Sequence, residues 1–269
     1  EERYVLNQMI LTLVGDFDAD AAYANVAKAF APYRRGRDDF EQGLVEKPQT
    51  EFRMGVESMK TPNTWTHLGF HVPPYSDPDA PALTVLASLL GKGSSSRLYK
   101  ALKERENLVT SIDADFEVRK DPGMFLISAA LPPQNEAKVF GIVRDEIRRL
   151  ADEKVPAAEL DRVKAGLQNQ YAFTAERMFG RAERLCLFAL MSDVSLEPLW
   201  PSLLEGVTPE DLQRVAATYL AARRASYSVV RPVEATGPSD EAIKTMAAAW
   251  REKSASGRAA LVEPRRAVL

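Results

Sequence analysis

Two histidines, His67 and His71, are the side chains of this sequence best suited to metal chemistry. They stand four residues apart, and on a helix that spacing puts two imidazoles on one face, where both can bind one zinc ion. The residues around them alternate apolar and polar, which indicates a β-strand instead. Four residues of strand span roughly 13 Å, too far for two ligands that each lie about 2 Å from one metal. We therefore predict no metal site formed by this pair.

The sequence also gives no indication of a catalytic nucleophile. Cys186 is the only cysteine, which excludes a disulfide framework and any cysteine-rich metal site. With both histidines on one predicted strand, no Ser/His/Asp or Cys/His triad can be assembled. We predict no catalytic residue and no cofactor in this chain.

The composition is that of an ordinary globular protein. Of its 269 residues, 45% are hydrophobic and 27% are charged. The formal net charge of −3 disfavours a nucleic-acid binder. No run of 18 apolar residues appears, so the sequence predicts no membrane span and a soluble protein. The compartment is unknown from the sequence, with the bacterial cytoplasm and the periplasm as the two alternatives.

The elements that position these residues follow from periodicity and turn signals. Strands are predicted over about 51–59 and 64–72, joined as a hairpin by the turn at residues 61–63, over about 109–118 and 124–131 around a second turn, and over 226–230. In the second strand the apolar residues share one face, and the other face carries Trp65, His67, Gly69 and His71.

Helical patterns fill the intervals between these strands. They run from Ser76 to Gly91, from the following loop to Asn107, and over about 139–150, and a long helix from Pro156 to about Met191 is broken near Gly180. A capping box at residues 208–211 starts another helix. The fold class is therefore α+β, with a mostly antiparallel sheet of at least four strands and helices packed on one face.

The first residues form a separate β-α unit. Residues 9–14, MILTLV, are predicted to be a buried strand, and a helix capped by Asp18 follows. Because such a strand needs partners, we do not expect it to stand alone, and the family resemblance given below implies that residues 1–45 are the end of a preceding domain of catalytic type. They should pack onto another copy of the chain, by self-association, or add to the sheet of residues 51–232. Residues 46–235 are predicted to form the next domain, and residues 236–269 a peripheral tail with one short helical stretch, Asp240 to Trp250.

Four segments, in order, carry a resemblance to a known family. They are residues 14–18, VGDFD, residues 68–79, LGFHVPPYSDPD, residues 89–99, LLGKGSSSRLY, and residues 207–220, VTPEDLQRVAATYL. With them the sequence resembles the insulinase/pitrilysin family of zinc metallopeptidases (inverzincins), which includes the mitochondrial processing peptidase. The resemblance covers residues 5–232.

The resemblance implies the C-terminal, non-catalytic domain. The family's catalytic domain carries His-x-x-Glu-His on a helix, where two histidines bind zinc and the glutamate activates the metal-bound water. This chain contains no such motif. Zinc would therefore belong to a catalytic domain outside this sequence, and this chain alone should be inactive.

The resemblance also implies candidate substrate-binding residues. The family's second domain often holds substrate with an arginine and a tyrosine seven residues apart, and these positions fall on Lys103 and Thr110 here. Lysine keeps the charge without the planar fork, and threonine keeps a hydroxyl on a shorter arm. Gly91 and Gly93 resemble a glycine-rich loop that contacts substrate, although a helix end is the alternative interpretation.

The function implied is the C-terminal half of a bacterial-type insulinase-like zinc peptidase. In the family two related halves enclose a peptide chamber, so this half would form chamber wall and contact peptide substrate, with the catalytic half as its partner. The alternative is a non-catalytic partner or scaffold subunit of a two-subunit peptidase.

Overall fold

One five-stranded sheet forms the centre of the protein. The computed structural model describes residues 5–36, 48–235 and 237–255. The strands are β1 (Arg53–Met59), β2 (Thr64–Val72), β3 (Ser111–Glu117), β4 (Gly123–Leu131) and β5 (Ala225–Pro232), in the order β1-β5-β2-β4-β3. The pair β1–β5 is parallel and the other three pairs are antiparallel. The prediction of a mostly antiparallel sheet of at least four strands is confirmed.

The predicted hairpin between the first two strands is wrong, because β5 lies between them. Val56 of β1 pairs with Val229, and Trp65 of β2 pairs with Val230. β5 sends Ala225, Tyr227 and Val229 into the core, as suits an interior strand. β1 carries mostly exposed side chains, a composition typical of a sheet edge. The second predicted hairpin, β3–β4, is confirmed.

Helices cover the sheet face formed by the apolar strand residues. The helices of the described residues are α1 (Ala19–Phe30), which buries none of its residues, and α2 (Ala80–Gly91), α3 (Glu136–Asp152), α4 (Ala157–Glu176), α5 (Met178–Met191), α6 (Trp200–Glu205), α7 (Pro209–Tyr219) and α8 (Asp240–Ala255). The capping box at the start of α7 is confirmed, since the side chains of Thr208 and Asp211 each accept from the other's backbone N–H. No helix among the described residues has the length and apolar character to cross a membrane.

Two helical segments differ in detail from the pattern. Residues Tyr99–Arg105 form a π-helix, and Asn107, two residues after its end, has a φ of +48°. The long helix breaks at Arg177, between α4 and α5. There the two helices approach closely, and a Cβ added to Gly180 would lie 2.3 Å from the carbonyl oxygen of Thr174. The glycine therefore permits the close approach just after the break.

The helix of the initial β-α unit is formed, but its strand is not. The side chain of Asp18 accepts a hydrogen bond from the backbone N–H of Ala21 at 2.7 Å and caps α1 as predicted. Residues 9–14 have no partner strand among the described residues and are mostly exposed, so the prediction that they add to the sheet is wrong. Contact with another copy stays a prediction. Residues 1–4 and 37–45 of this unit lie outside the described residues.

Part of the predicted peripheral tail is packed into the core. Helix α8 buries Ile243, Ala247 and Trp250, and the ring of Trp250 meets Phe70 edge to face with centroids 6.1 Å apart. Arg231 of β5 pairs with Asp240 at the start of α8. The spacing of Ile243, Ala247 and Trp250 is that of one face of a helix, but the sequence did not show that this face packs against the core. Residues 256–269 of the predicted tail lie outside the described residues.

Candidate functional site

The sheet face opposite the helices is the candidate site. Strand β2 alternates as predicted, with Leu68, Phe70 and Val72 buried beneath the helices. Trp65 and His67 point to the other side, and Trp65 is 48% exposed. We call this other side the open face. It presents an aromatic ring and an imidazole on the central strand, where a second surface or an extended peptide can contact them.

A row of polar residues crosses the open face at His67. In the register of the sheet, His67 lies between Ser228 of β5 and Ser128 of β4, and Ser128 pairs onward with Asp113 of β3. The Nδ1 atom of His67 is 2.9 Å from Oγ of Ser128. The row supplies hydrogen-bonding groups on the open face.

The described residues show no grouping of three or more potential metal-ligating side chains. His67 and His71 both lie on β2, the strand on which the sequence placed them. The described residues of this face therefore do not fit a zinc ion.

Lys92, which the sequence analysis did not single out as a site residue, bridges two carboxylates of β3. Its Nζ atom lies 3.1 Å from Asp113 and 3.4 Å from Asp115. Burial acts to lower the pKa of Lys92, but the hydrogen bond that Lys92 donates to Asp113 and the charges of both aspartates outweigh it and raise the pKa above its usual range. Two features of the sequence could have indicated this cluster. Asp113 and Asp115 alternate on one face of a predicted strand, and Lys92 directly follows the helical pattern of α2.

The two candidate glycines have different surroundings. Gly91 is buried at the end of α2, where an added Cβ would lie 2.1 Å from the backbone nitrogen of Ala114 in β3. Packing of the helix against the strand thus accounts for this glycine. Gly93 is exposed, with φ of +74° and nothing within 4 Å of an added Cβ. Of the two, Gly93 has the accessible backbone.

The structure brings Lys103 and Thr110 together. The Nζ atom of Lys103, on the π-helix, donates a hydrogen bond to the carbonyl oxygen of Thr110 at 2.7 Å. The backbone N–H of Thr110 donates to Ala130 at 2.7 Å. The ammonium group of Lys103 also lies 5.7 Å from the centre of the Tyr99 ring. Lys103 therefore braces the link between the π-helix and β3, and a substrate contact by either residue stays a prediction.

Comparison with known proteins gives consistent results. A 26% identical relative, an uncharacterized zinc protease of Streptomyces coelicolor, matches 87% of this chain and 52% of its own length. The Bacillus subtilis protein named "Probable inactive metalloprotease YmfF" is 24% identical over 77% of this chain and 48% of its own length. The chain spans about half the length of these curated relatives.

Solved structures show the same fold. A protease from Helicobacter pylori superposes with a TM-score of 0.75 at 23% identity, over 81% of this chain and 54% of the other. The sequence profile of the family described as "Peptidase M16 inactive domain" matches residues 1–167, more than half of the chain. These matches confirm the resemblance found in the four sequence segments, and the chain belongs to the Peptidase M16 inactive domain family.

Proposed function

We propose that this chain is the non-catalytic half of an insulinase-like zinc peptidase and that its open face forms part of the wall of a peptide chamber. The observation that carries the proposal is the contrast between the two faces of the sheet. One face is sealed by helices, whereas the other leaves Trp65 and His67 exposed at its centre. Aromatic side chains are enriched where proteins contact one another, and the exposed face of the sheet offers side chains that an extended peptide can contact.

Family membership supports the rest of the proposal. The sequence has no His-x-x-Glu-His, and relatives named as zinc proteases are about twice as long. Zinc and the water-activating glutamate would then reside in the catalytic half. This chain would contribute surface and shape, and it should not hydrolyse peptides alone.

Peptide binding to the whole chain tests the proposal. A fluorescent, unstructured peptide is titrated with the chain, and its anisotropy is followed. Trp65→Ala should weaken binding by about tenfold, the loss typical of an aromatic contact at an interface, and His67→Ala should weaken it less. Tyr23→Ala, which removes an exposed aromatic ring from α1, should leave the affinity unchanged. An affinity insensitive to Trp65→Ala, or no binding by the wild-type chain, contradicts the proposal.

A scaffold subunit of a two-subunit peptidase is the second candidate function. It is favoured by the hydrogen bond from Lys103 to Thr110, because these positions hold each other where the family often presents an arginine and a tyrosine to substrate. The coding sequence upstream of Glu1 distinguishes the two functions. A His-x-x-Glu-His there supports the peptidase half, and a complete domain without it supports the scaffold.

A further inference from the structure

The register of the sheet divides the open face into areas of different chemistry. Trp65 of β2 lies opposite Val230 of β5, and we call these two residues the first apolar patch. The next residue of β2 on this face is His67, which lies between Ser128 and Ser228 in the polar row. Because alternate residues of a strand share one face, an extended peptide that lies along β2 meets the apolar patch first and the polar row next.

Gly69 creates a second apolar area beyond the polar row. It follows His67 on the same face of β2 and lies opposite Leu126 of β4. A Cβ added to Gly69 would lie 3.0 Å from Sδ of Met124 and 3.7 Å from Cδ1 of Leu126. The side chains of Met124 and Leu126, both half-buried, therefore extend over the glycine. We call these two side chains and the surface over Gly69 the second apolar patch.

The charged groups beside the second apolar patch are already paired. Asp115 of β3 lies opposite Leu126, and its carboxylate is 3.4 Å from Nζ of Lys92. Glu117, the next residue of β3 on this face, lies 3.5 Å from Arg119. A charged ligand group would lose hydration on the apolar side chains, and the carboxylates nearby already have cations. An apolar group gains contact area there, so the patch is suited to an apolar side chain.

The spacing of the two patches matches the repeat of an extended peptide. Trp65 and Gly69 are four residues apart on β2, which corresponds to roughly 13 Å. Strands packed on the face of a sheet run within about 30° of its own strands, and side chains i, i+2 and i+4 of such a segment point to the sheet. When side chains i and i+4 lie on the two patches, side chain i+2 reaches the exposed groups of His67 and Ser228.

We propose that the open face selects extended peptides with the pattern apolar-x-polar-x-apolar. The two apolar side chains occupy the first and second apolar patches, and the polar one, a hydroxyl or an amide, hydrogen-bonds to His67 or Ser228. This inference rests on the proposed function, because it names the class of peptide that the chamber wall would take. It makes Gly69, Met124 and Leu126 specificity-determining residues, and the spacing of the apolar side chains decides the affinity.

Labelled peptides of identical composition, titrated with the whole chain and followed by anisotropy, test this pattern. The first peptide carries two leucines at i and i+4, with serine at i+2, in a background of glycine and serine. The second carries the leucines at i and i+3, on opposite sides, and the third carries them at i and i+2, so that one leucine meets the polar row. The first peptide should bind at least about tenfold more tightly than the others, because it alone places both leucines on apolar surface.

Substitutions in the protein locate the two contacts. Trp65→Ala and Leu126→Ala should each weaken binding of the first peptide by about tenfold. When one leucine of the peptide is replaced by alanine, one of these variants should lose no further affinity, and the other leucine should show the same relation to the other variant. Gly69→Ala places a Cβ against the flexible end of Met124. It should weaken peptides with phenylalanine at the position coupled to Leu126 more than peptides with alanine there.

The matched control is Leu190→Ala, which shortens an exposed leucine of α5 and should leave every affinity unchanged. Urea denaturation establishes which variants are folded, and if Leu126→Ala is not, Gly69→Ala and the three wild-type titrations decide. A wild-type chain that binds all three peptides equally, or a folded Leu126→Ala that binds them like wild type, overturns this inference and leaves the proposed function intact. Failure of the wild-type chain to bind any of the peptides contradicts the proposed function and this inference with it.

Discussion

At the scale of single residues, two glycines show how the absence of a side chain acts in different ways. Gly91 lets the end of α2 approach the backbone of β3, since an added Cβ would lie 2.1 Å from the nitrogen of Ala114. Gly166 lies inside α4 with nothing within 4 Å of an added Cβ. The first glycine is required by packing, and the second only adds conformational freedom to the unfolded chain.

Alanine at these two positions should therefore change the free energy of unfolding in opposite directions. Gly91→Ala should destabilise the protein by about 1–3 kcal/mol, because the helix must move away from the strand. Gly166→Ala should stabilise it by about 1 kcal/mol, the difference in helix propensity. Urea denaturation measures both changes. Equal effects of the two substitutions would contradict the packing role of Gly91.

The sequence singled out Gly91 as a candidate site residue, but it did not show why a glycine is needed at that position. Its place after a helical pattern suggested a helix end, and the family resemblance suggested a substrate contact. The close approach to Ala114 depends on a strand 23 residues away, and no local pattern encodes that distance. For the same reason Lys92 was missed, since its partners Asp113 and Asp115 become neighbours only in the folded sheet.

At the scale of elements, ion pairs join helices and turns that are distant in sequence. Arg97 lies just before the π-helix and holds Glu159, in the first turn of α4, through two hydrogen bonds of 2.7 and 3.0 Å. The hydrogen bond from Arg97 lowers the pKa of Glu159, burial opposes that effect, and the charge of Arg97 lowers the pKa further. The net shift is downward, so the carboxylate stabilises the folded state while it is ionised.

The pH dependence of stability should reveal this pair. Because the pKa of Glu159 is lower in the folded than in the unfolded chain, its contribution is complete above the unfolded value of about 4.3. It is lost as the pH falls through the folded value. Glu159→Gln should be less stable than wild type at neutral pH, and the difference should shrink in acid. Urea midpoints between neutral and acidic pH measure this, with Glu176→Gln, at an exposed position at the end of the same helix, as the control. A difference that stays constant with pH would contradict the assignment.

The elements themselves were largely predictable, and their neighbours were not. Alternation in β2 and the capping box of α7 are local signals, and both predictions are confirmed. The placement of β5 between β1 and β2 depends on contacts between residues far apart in the sequence. The turn at residues 61–63 suggested a direct hairpin between β1 and β2 instead. The strand predicted at residues 9–14 had the right composition but lacks a partner strand among the described residues. A β-strand is stable only when neighbouring strands supply partners for its backbone hydrogen bonds.

At the scale of the whole molecule, family membership and the absence of the zinc motif lead to a prediction about metal content. The purified chain should hold no stoichiometric zinc after dialysis, because His67 and His71 lie on one strand at a separation that prevents joint ligation. Elemental analysis measures this directly. One tightly bound zinc per chain that is lost in His71→Ala would contradict the prediction. His67→Ala, the matched substitution on the same strand, is measured beside it.

The position of β5 also has a consequence for how the protein acquires its fold during synthesis. Among the described residues, β5 is the one strand that pairs with β1, and Arg53 lies opposite Ser226. When the ribosome has released β1 to β4, strands β2, β4 and β3 can already pair with one another. Strand β1 stays unpaired until β5, near the end of the domain, has been synthesised. Contacts so distant in sequence slow folding, and an unpaired strand edge is prone to aggregation meanwhile. Arg53, Glu57 and Ser58 give β1 charged and polar side chains, which oppose aggregation during that delay.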